Sequence, residues 1–270
     1  MPELPEVETI ANGLNKRVAG DRIDSVWLGS KPEPLKSSAA EISGALEGAK
    51  VERVRRVGKH IVFDLASGRE PGERQWIVHL GMTGRMLVVP PEAELLKHTH
   101  LVARLASGRE LRFVDPRRFG RLEVQHSGFS GPGAEPLQIG ADDFAKLFHG
   151  SKAPIKAALL NQKLLHGVGN IYADEALFRA HIRPRRRANT LTKAELRKLL
   201  AALQKVLQLA IAAGGSSISD YVDADGEAGF FQIQHRAYGR EGKPCVKCKT
   251  PIKKIIVGGR GTHYCPKCQK

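Results

Sequence analysis

VERVRRVGKHIVFDL, Val51 to Leu65, is the stretch on which the fold turns. Its β-branched and aromatic residues suit a pleated, half-buried surface, so it reads as strand. Outward from it, QWIVHLGM, RMLVV, HLVARL and ELRFVD repeat the same short pattern between about Ile23 and Val124, and Ser107-Gly108 marks a hairpin turn. That spacing predicts a β-sandwich. Ahead of it Val7, Ile10, Ala11, Leu14 and Val18 stand at helical spacing, with Gly20 as the C-terminal cap, so an amphipathic helix begins almost at the first residue.

Beyond the strands, HSGFSGPGAEP (126–136) has no period and reads as a linker. The chain then turns helical in ADDFAKLFHG, PIKAALLNQ and NIYADEALFRAH, the last two separated by the turn KLLHGVG. Thr192-x-x-Glu195 is a capping box that opens a long helix. Its expected buried stripe is Leu196, Leu199, Leu200, Leu203, Leu207 and Ile211, and it stops at Gly214-Gly215. The expected class is α+β: a sandwich domain over 1–126, a linker over 127–136, a helical domain over 137–235 and a cysteine-bearing tail over 236–270.

Charge narrows the partners. The 270 residues carry 43 Lys+Arg against 28 Asp+Glu, a net +15, which calls for a polyanion. At 41% hydrophobic residues the chain can bury real cores. No apolar run approaches the roughly 20 residues of a membrane span, and MPELPEVE is unlike a signal peptide, so a soluble intracellular protein is expected. All four cysteines fall in Cys245-x2-Cys248-x16-Cys265-x2-Cys268, the spacing of tetrahedral zinc rather than of disulfides that staple a whole fold. Four thiolates close the coordination shell, so one structural Zn2+ is expected.

Pro2 is the first candidate for chemistry. With Met1 removed it offers a secondary amine at the positive end of a helix, with Glu3 beside it and Glu6 one turn on. A terminal amine is less basic than lysine and more nucleophilic at pH 7. Attack on a sugar C1′ would give an iminium, which acts as an electron sink for elimination. Pro and Glu in a first turn are also ordinary helix-start signals.

The opening PELPEVE, Lys59, HLGMTG (79–84), DPRRFGR (115–121), LLNQKLLHGVGNIYADE (159–175) and the four-cysteine finger with Arg260, in this order, resemble the bacterial formamidopyrimidine-DNA glycosylase family from Met1 to Lys270. The resemblance implies a helix-two-turn-helix domain followed by a zinc finger, and damaged double-stranded DNA in a basic cleft between the halves. It implies excision of oxidised purines such as 8-oxoguanine and formamidopyrimidines, followed by β- and δ-elimination. It assigns Pro2 as nucleophile, Glu3 as the acid that opens the sugar, Lys59 as a proton source near the phosphates, Arg260 as a phosphate clamp and Glu6 as a positioning group. Met82, Arg117 and Phe119 would fill the hole left by a flipped nucleotide; on their own they read first as a core methionine, a surface ion pair and a core phenylalanine.

Asn170, where backbone amides at a helix start can hold a phosphate, reads also as a simple N-cap; Lys152 and Lys156 just upstream are candidate phosphate or base contacts, and the resemblance adds His98 and Tyr238 as phosphate contacts. The loop 216–229 would cover the extruded base. Two other readings stand beside this one: the sister endonuclease VIII-like enzymes, which prefer oxidised pyrimidines, and a zinc-finger DNA-binding module without catalysis. PELPEVE and the Met82, Arg117, Phe119 set favour the purine class, and an inert binder has no use for a Pro-Glu terminus. The expected state is a monomer in the cytoplasm, associated with the nucleoid and not with a membrane.

Overall fold

The structure, a computed structural model, describes residues 1–66, 74–126, 128–216 and 229–270. Helix α1 (Leu4–Val18) buries Val7, Ile10, Ala11, Leu14 and Val18, the stripe its periodicity predicts. It ends where Gly20 takes φ +88°, a left-handed value open to glycine, and the Gly20 amide donates to Val51 O at 2.7 Å. The strands follow as β1 (Ile23–Leu28), β2 (Lys50–Val57), β3 (His60–Ala66), β4 (Arg74–His79), β5 (Arg85–Val89), β6 (Thr99–Leu105), β7 (Glu110–Val114) and β8 (Arg121–His126).

They form two antiparallel four-stranded sheets, ordered β1-β6-β7-β5 and β2-β3-β4-β8. One core joins them: Val51, Phe63, Trp76 and Val78 of one sheet meet Met86, Leu101, Leu111 and Phe113 of the other and the buried face of α1. A second helix, α2 (Ala39–Leu46), interrupts the strand region. Sequence periodicity over so short a helix is weak, but Ser38 and Glu41 form a reciprocal capping box that marks its start.

The helical half contains α3 (Ala141–Leu147), α4 (Ile155–Leu159), α5 (Asn170–Ala180) and α6 (Lys193–Ala212), then the hairpin of β9 (Lys253–Val257) and β10 (Arg260–Tyr264). Thr192 and Glu195 cap α6 reciprocally; Arg186 and the Thr192 donors hold the Glu195 carboxyl down at about 2. The buried stripe of α6 differs from expectation at one end: Val206 and Ala210 are buried, while Ile211 is only half-buried. At 3.6 residues per turn the buried phase has drifted one position by the fifth turn.

Two compact units emerge. One is Met1–Ser130 with Gly214–Phe230; the other is Gly131–Ala213 with Phe231–Lys270. The cysteine-bearing tail therefore shares a unit with the helices, and Phe178 of α5 packs on Ala237, Cys245, Ile252 and Cys265. Of the residues that follow α6, Gly214, Gly215, Ser216, Gly229 and Phe230 fall in the sandwich unit. Among the described residues no helix is long and apolar enough to cross a membrane.

Lys156 corrects the sequence reading. Instead of reaching out to DNA its side chain is 0% exposed, and its Nζ lies 2.6 Å from Asp174 Oδ1 and donates to Thr262 Oγ1 and Gly261 O at 2.8 and 3.0 Å. Asp174 in turn accepts from the His263 amide at 2.8 Å, so the ion pair fastens α4 and α5 to β10. Breaking one partner of a buried pair leaves the other charge stranded. Lys156→Met is expected to destabilise the helical unit by about 3–5 kcal/mol, read by urea unfolding with hydrogen exchange in α5 and β10. Retained stability with a loss confined to DNA affinity would restore the contact role.

Candidate active site

The N-terminal turn is built around two acids. Glu3 is the N-cap of α1, and its amide donates to Glu6 Oε2 at 2.8 Å, while the Glu3 side chain accepts from the Glu6 amide. Pro2 thus sits immediately outside the helix, half-buried, at its positive end. The other Glu6 oxygen, Oε1, accepts from the Ser216 amide at 2.8 Å. A Cβ on Gly215 would come within 3.0 Å of the same carboxylate, and Gly215 has φ +82°, so glycine is required where the backbone crosses Glu6. Ser216 also bridges Phe230, which closes the two ends of the segment expected to cover the base; its residues 217–228 lie outside those described.

Two contacts tie α1 to β2 and show how Lys59 is brought in. The Val54 amide donates to Asn15 Oδ1 at 2.8 Å, and Arg56 Nε lies 2.6 Å from Glu8 Oε2. Helix numbers fall as strand numbers rise, so the start of α1 and the turn at Gly58-Lys59 lie at the same end of the unit. From Glu8 back to Glu3 the helix runs about 7.5 Å, and Lys59 lies in the tight turn that closes the β2-β3 hairpin three residues after Arg56. Arg55 and Arg56 are engaged by Asp64 and Glu8. Lys59 itself, 8% exposed, is a cation held inside the unit rather than part of a solvated face.

Met82, Arg117 and Phe119 are not core residues. Met82 is 43% and Phe119 50% exposed, Arg117 is exposed, and the Arg117 guanidinium lies 4.9 Å over the Phe119 ring. Their loops touch backbone to backbone: a Cβ on Gly81 would fall 2.5 Å from Gly120 N and Phe119 C. His79 supports the first loop by accepting from the Gly81 amide at 3.2 Å. Burial, then the charges of His60, Lys59 and Arg121, push the His79 pKa down to about 4, which keeps the ring neutral and able to accept. His98 is exposed at φ +71° on the neighbouring loop.

In the other unit, Arg260 is exposed just after the positive-φ pair Gly258-Gly259 at the hairpin tip. A Cβ on Gly258 would fall 2.9 Å from Ala157 Cβ, so the tip rests on α4. Asn170 is the first residue of α5 and not its cap; Gly169 is the N-cap, and Asn170 Nδ2 donates to Gly261 O at 3.0 Å. Lys152 is exposed, and Tyr238 packs edge-on against His263 with centroids 5.2 Å apart.

Sequence reasoning missed Glu175. Its Oε1 accepts from the amides of Arg236, Ala237 and Tyr238 at 2.8, 2.8 and 3.0 Å, which shapes the turn that presents Tyr238. Burial raises its carboxyl above the usual range and the three amides pull it back. The clue was the second acid of NIYADE on an otherwise apolar helix face.

The four cysteine sulfurs lie within 4.8 Å of one another, with Cys245 to Cys268 at 3.9 Å and Cys248 to Cys265 at 3.4 Å. Sulfurs at about 2.3 Å from a tetrahedral zinc stand about 3.8 Å apart, whereas a disulfide needs about 2.05 Å. The amides of Lys247 and Cys268 donate to Cys245 and Cys265 Sγ at 3.4 and 3.3 Å, as thiolates require. The donor set fits one structural zinc ion with no open position for substrate.

The chain matches three family descriptions in sequence: the formamidopyrimidine-DNA glycosylase N-terminal domain over 1–122, the formamidopyrimidine-DNA glycosylase H2TH domain over 131–222, and the zinc finger found in FPG and IleRS over 242–270. It is 43% identical to the formamidopyrimidine-DNA glycosylase of Solibacter usitatus and 39% to that of Listeria monocytogenes, each over the whole of both chains. Among solved structures, a Lactococcus lactis FPG mutant bound to Fapy-dG-containing DNA aligns over the whole of both chains with a TM-score of 0.91 and 33% identity. The wild-type Lactococcus lactis protein bound to DNA with an oxidised pyrimidine aligns over the same extent at 0.89 and 33%. With these family descriptions covering most of its length and its relatives matched end to end, the chain belongs to the formamidopyrimidine-DNA glycosylase family.

Proposed function

We propose that this protein excises oxidised purines from duplex DNA and then cleaves the abasic strand, with the Pro2 nitrogen as nucleophile once Met1 is removed. The observation that carries the reading is the capped start of α1, which holds Pro2 at a helix N-terminus at the same end of the unit as Lys59. The positive end of the helix disfavours a protonated amine, which leaves more of it free to attack.

Attack of that nitrogen on C1′ breaks the glycosidic bond and sends its electron pair to the departing base, which takes up a proton. Glu3 delivers a proton to the ring oxygen, the sugar opens, and an iminium joins Pro2 to C1′. Loss of a C2′ proton to a base expels the 3′ phosphate, and loss of the C4′ proton likewise expels the 5′ phosphate; Lys59 hands protons to the departing phosphates. Water then releases the sugar remnant and restores the amine. Exposed Arg260, Lys152 and His98, with Tyr238 and the start of α5 at Asn170, would grip the phosphates. Zinc holds the finger and takes no part in the reaction. The net +15 charge supports the DNA partner, and the protein is read as a monomer acting at the nucleoid.

Pro2→Gly is expected to abolish excision, and Glu3→Gln to slow it by about 10²–10⁴, with duplex affinity largely kept. Full activity of both variants on 8-oxoguanine DNA would remove the mechanism. The purine reading is tested at Arg117. Cytosine left unpaired by the flipped lesion presents O2 and N3, both acceptors for a guanidinium, whereas adenine offers a repelling amino donor, and an unmet group in a dry interface costs about 1–3 kcal/mol. Single-turnover excision of 8-oxoguanine should be faster opposite cytosine than opposite adenine, and Arg117→Ala should narrow that ratio. Equal wild-type rates on the two duplexes would end the role of Arg117, and faster excision of an oxidised pyrimidine would favour the sister class.

A further inference from the structure

The two loops that carry Met82 and Arg117 with Phe119 share one buried acid. Asp115, at the end of β7, is 0% exposed. Its Oδ1 accepts from Thr83 Oγ1 at 2.6 Å and from the Arg117 amide at 3.3 Å; its Oδ2 accepts from the Gly120 amide at 2.7 Å. Donors to one carboxylate thus come from the residue next to Met82, from Arg117 itself and from the residue after Phe119. The main chain of Asp115 is fixed as well, its amide donating to His98 O at 3.0 Å and its carbonyl lying 2.9 Å from His100 Nε2.

The loops also meet backbone to backbone where Gly81 lies against Phe119 and Gly120. Gly120 has no room for a side chain, since a Cβ there would fall 2.6 Å from Phe113 Cζ and 3.0 Å from Asp115 Oδ2. A buried carboxylate is costly unless its oxygens are met by strong donors, so these bonds resist exchange with water. The exposed Met82, Arg117 and Phe119 then stand on one hydrogen-bonded base.

We propose that Asp115 is a positioning residue that joins the two loops into a single insertion device, so that the plug, the wedge and the reader of the opposite base enter the duplex together and in fixed register. The proposal rests on the reading of Met82, Arg117 and Phe119 as the groups that fill the duplex. Asp115 touches no reacting atom. Its work is to hold the Arg117 backbone at a set height relative to Met82, because a shift of about 1 Å in a positioning group is enough to cost about a hundredfold in rate.

The test is single-turnover excision of 8-oxoguanine opposite cytosine and opposite adenine, beside strand cleavage at an abasic site in single-stranded DNA, which has no opposite base to read. Asp115→Asn keeps one acceptor but places an amide where a donor already points. It is expected to slow excision opposite cytosine by about tenfold or more and to narrow the cytosine-to-adenine ratio, with a loss on the single strand at least about tenfold smaller. Combined with Arg117→Ala it should add less than about twofold, since both remove the same device.

Thr83→Val removes one donor and leaves Asp115 in place, so it reports even where Asp115→Asn folds poorly. It should narrow the ratio in the same direction, and Thr83→Ser should restore it. Equal losses on duplex and single strand, or an unchanged ratio in both Asp115→Asn and Thr83→Val while Arg117→Ala changes it, would overturn the proposal alone. An unchanged ratio in Arg117→Ala would overturn the reading beneath it and the proposal with it.

Discussion

The carboxylate of Glu6 is the contact on which the candidate site depends. Chain termini fray unless they are tied down, and a nucleophile at a frayed end would sample many positions. Glu6 is buried and gives one oxygen to the Glu3 amide and the other to the Ser216 amide. Charge-assisted bonds of this kind contribute about 1.5–3 kcal/mol each, enough to hold a first helical turn that has no intrahelical partners for its own amides. The same group sets the place of Pro2 and the root of the segment that follows α6.

A similar logic runs through both units. Asp115 gathers the amides of one loop and the hydroxyl of another, Asp174 holds Lys156 and the His263 amide, and Glu175 gathers three successive amides. Each is a buried acid whose cost is offset by strong donors: from loops at Asp115 and Glu175, and from α4 and β10 at Asp174. Loops are the mobile part of most folds, yet here they carry the exposed Met82, Arg117 and Phe119 assigned to DNA, and Arg260 stands at the edge of the hairpin tip. A rigid root under an exposed side chain lets it meet a duplex without first losing much conformational freedom.

What was legible in the sequence followed from periodicity and spacing. The stripe of α1, the Thr192 and Glu195 cap and the four-cysteine spacing each express one local rule, and the structure obeys them. What was hidden depends on long-range partners. Nothing near Lys156 in the chain announces Asp174 or Thr262, so an isolated lysine in a basic protein looked like a phosphate contact. Asn170 looked like a cap because its amide partner, Gly261, lies 91 positions away. Ser216 meets the sandwich unit at Glu6, which lies 210 residues away in the chain. The exposure of Met82 and Phe119 was legible only through the family resemblance, since composition alone favours burial of both.

Mapping the adduct that borohydride leaves between this protein and 8-oxoguanine DNA tests most directly whether the nitrogen beside Glu3 does the chemistry. After nuclease and protease digestion, mass spectrometry should find the reduced sugar remnant on the N-terminal peptide, on the Pro2 nitrogen, in protein that has lost Met1. A remnant on Lys59 or any other lysine, or a trapped adduct on chains that retain Met1, would contradict it.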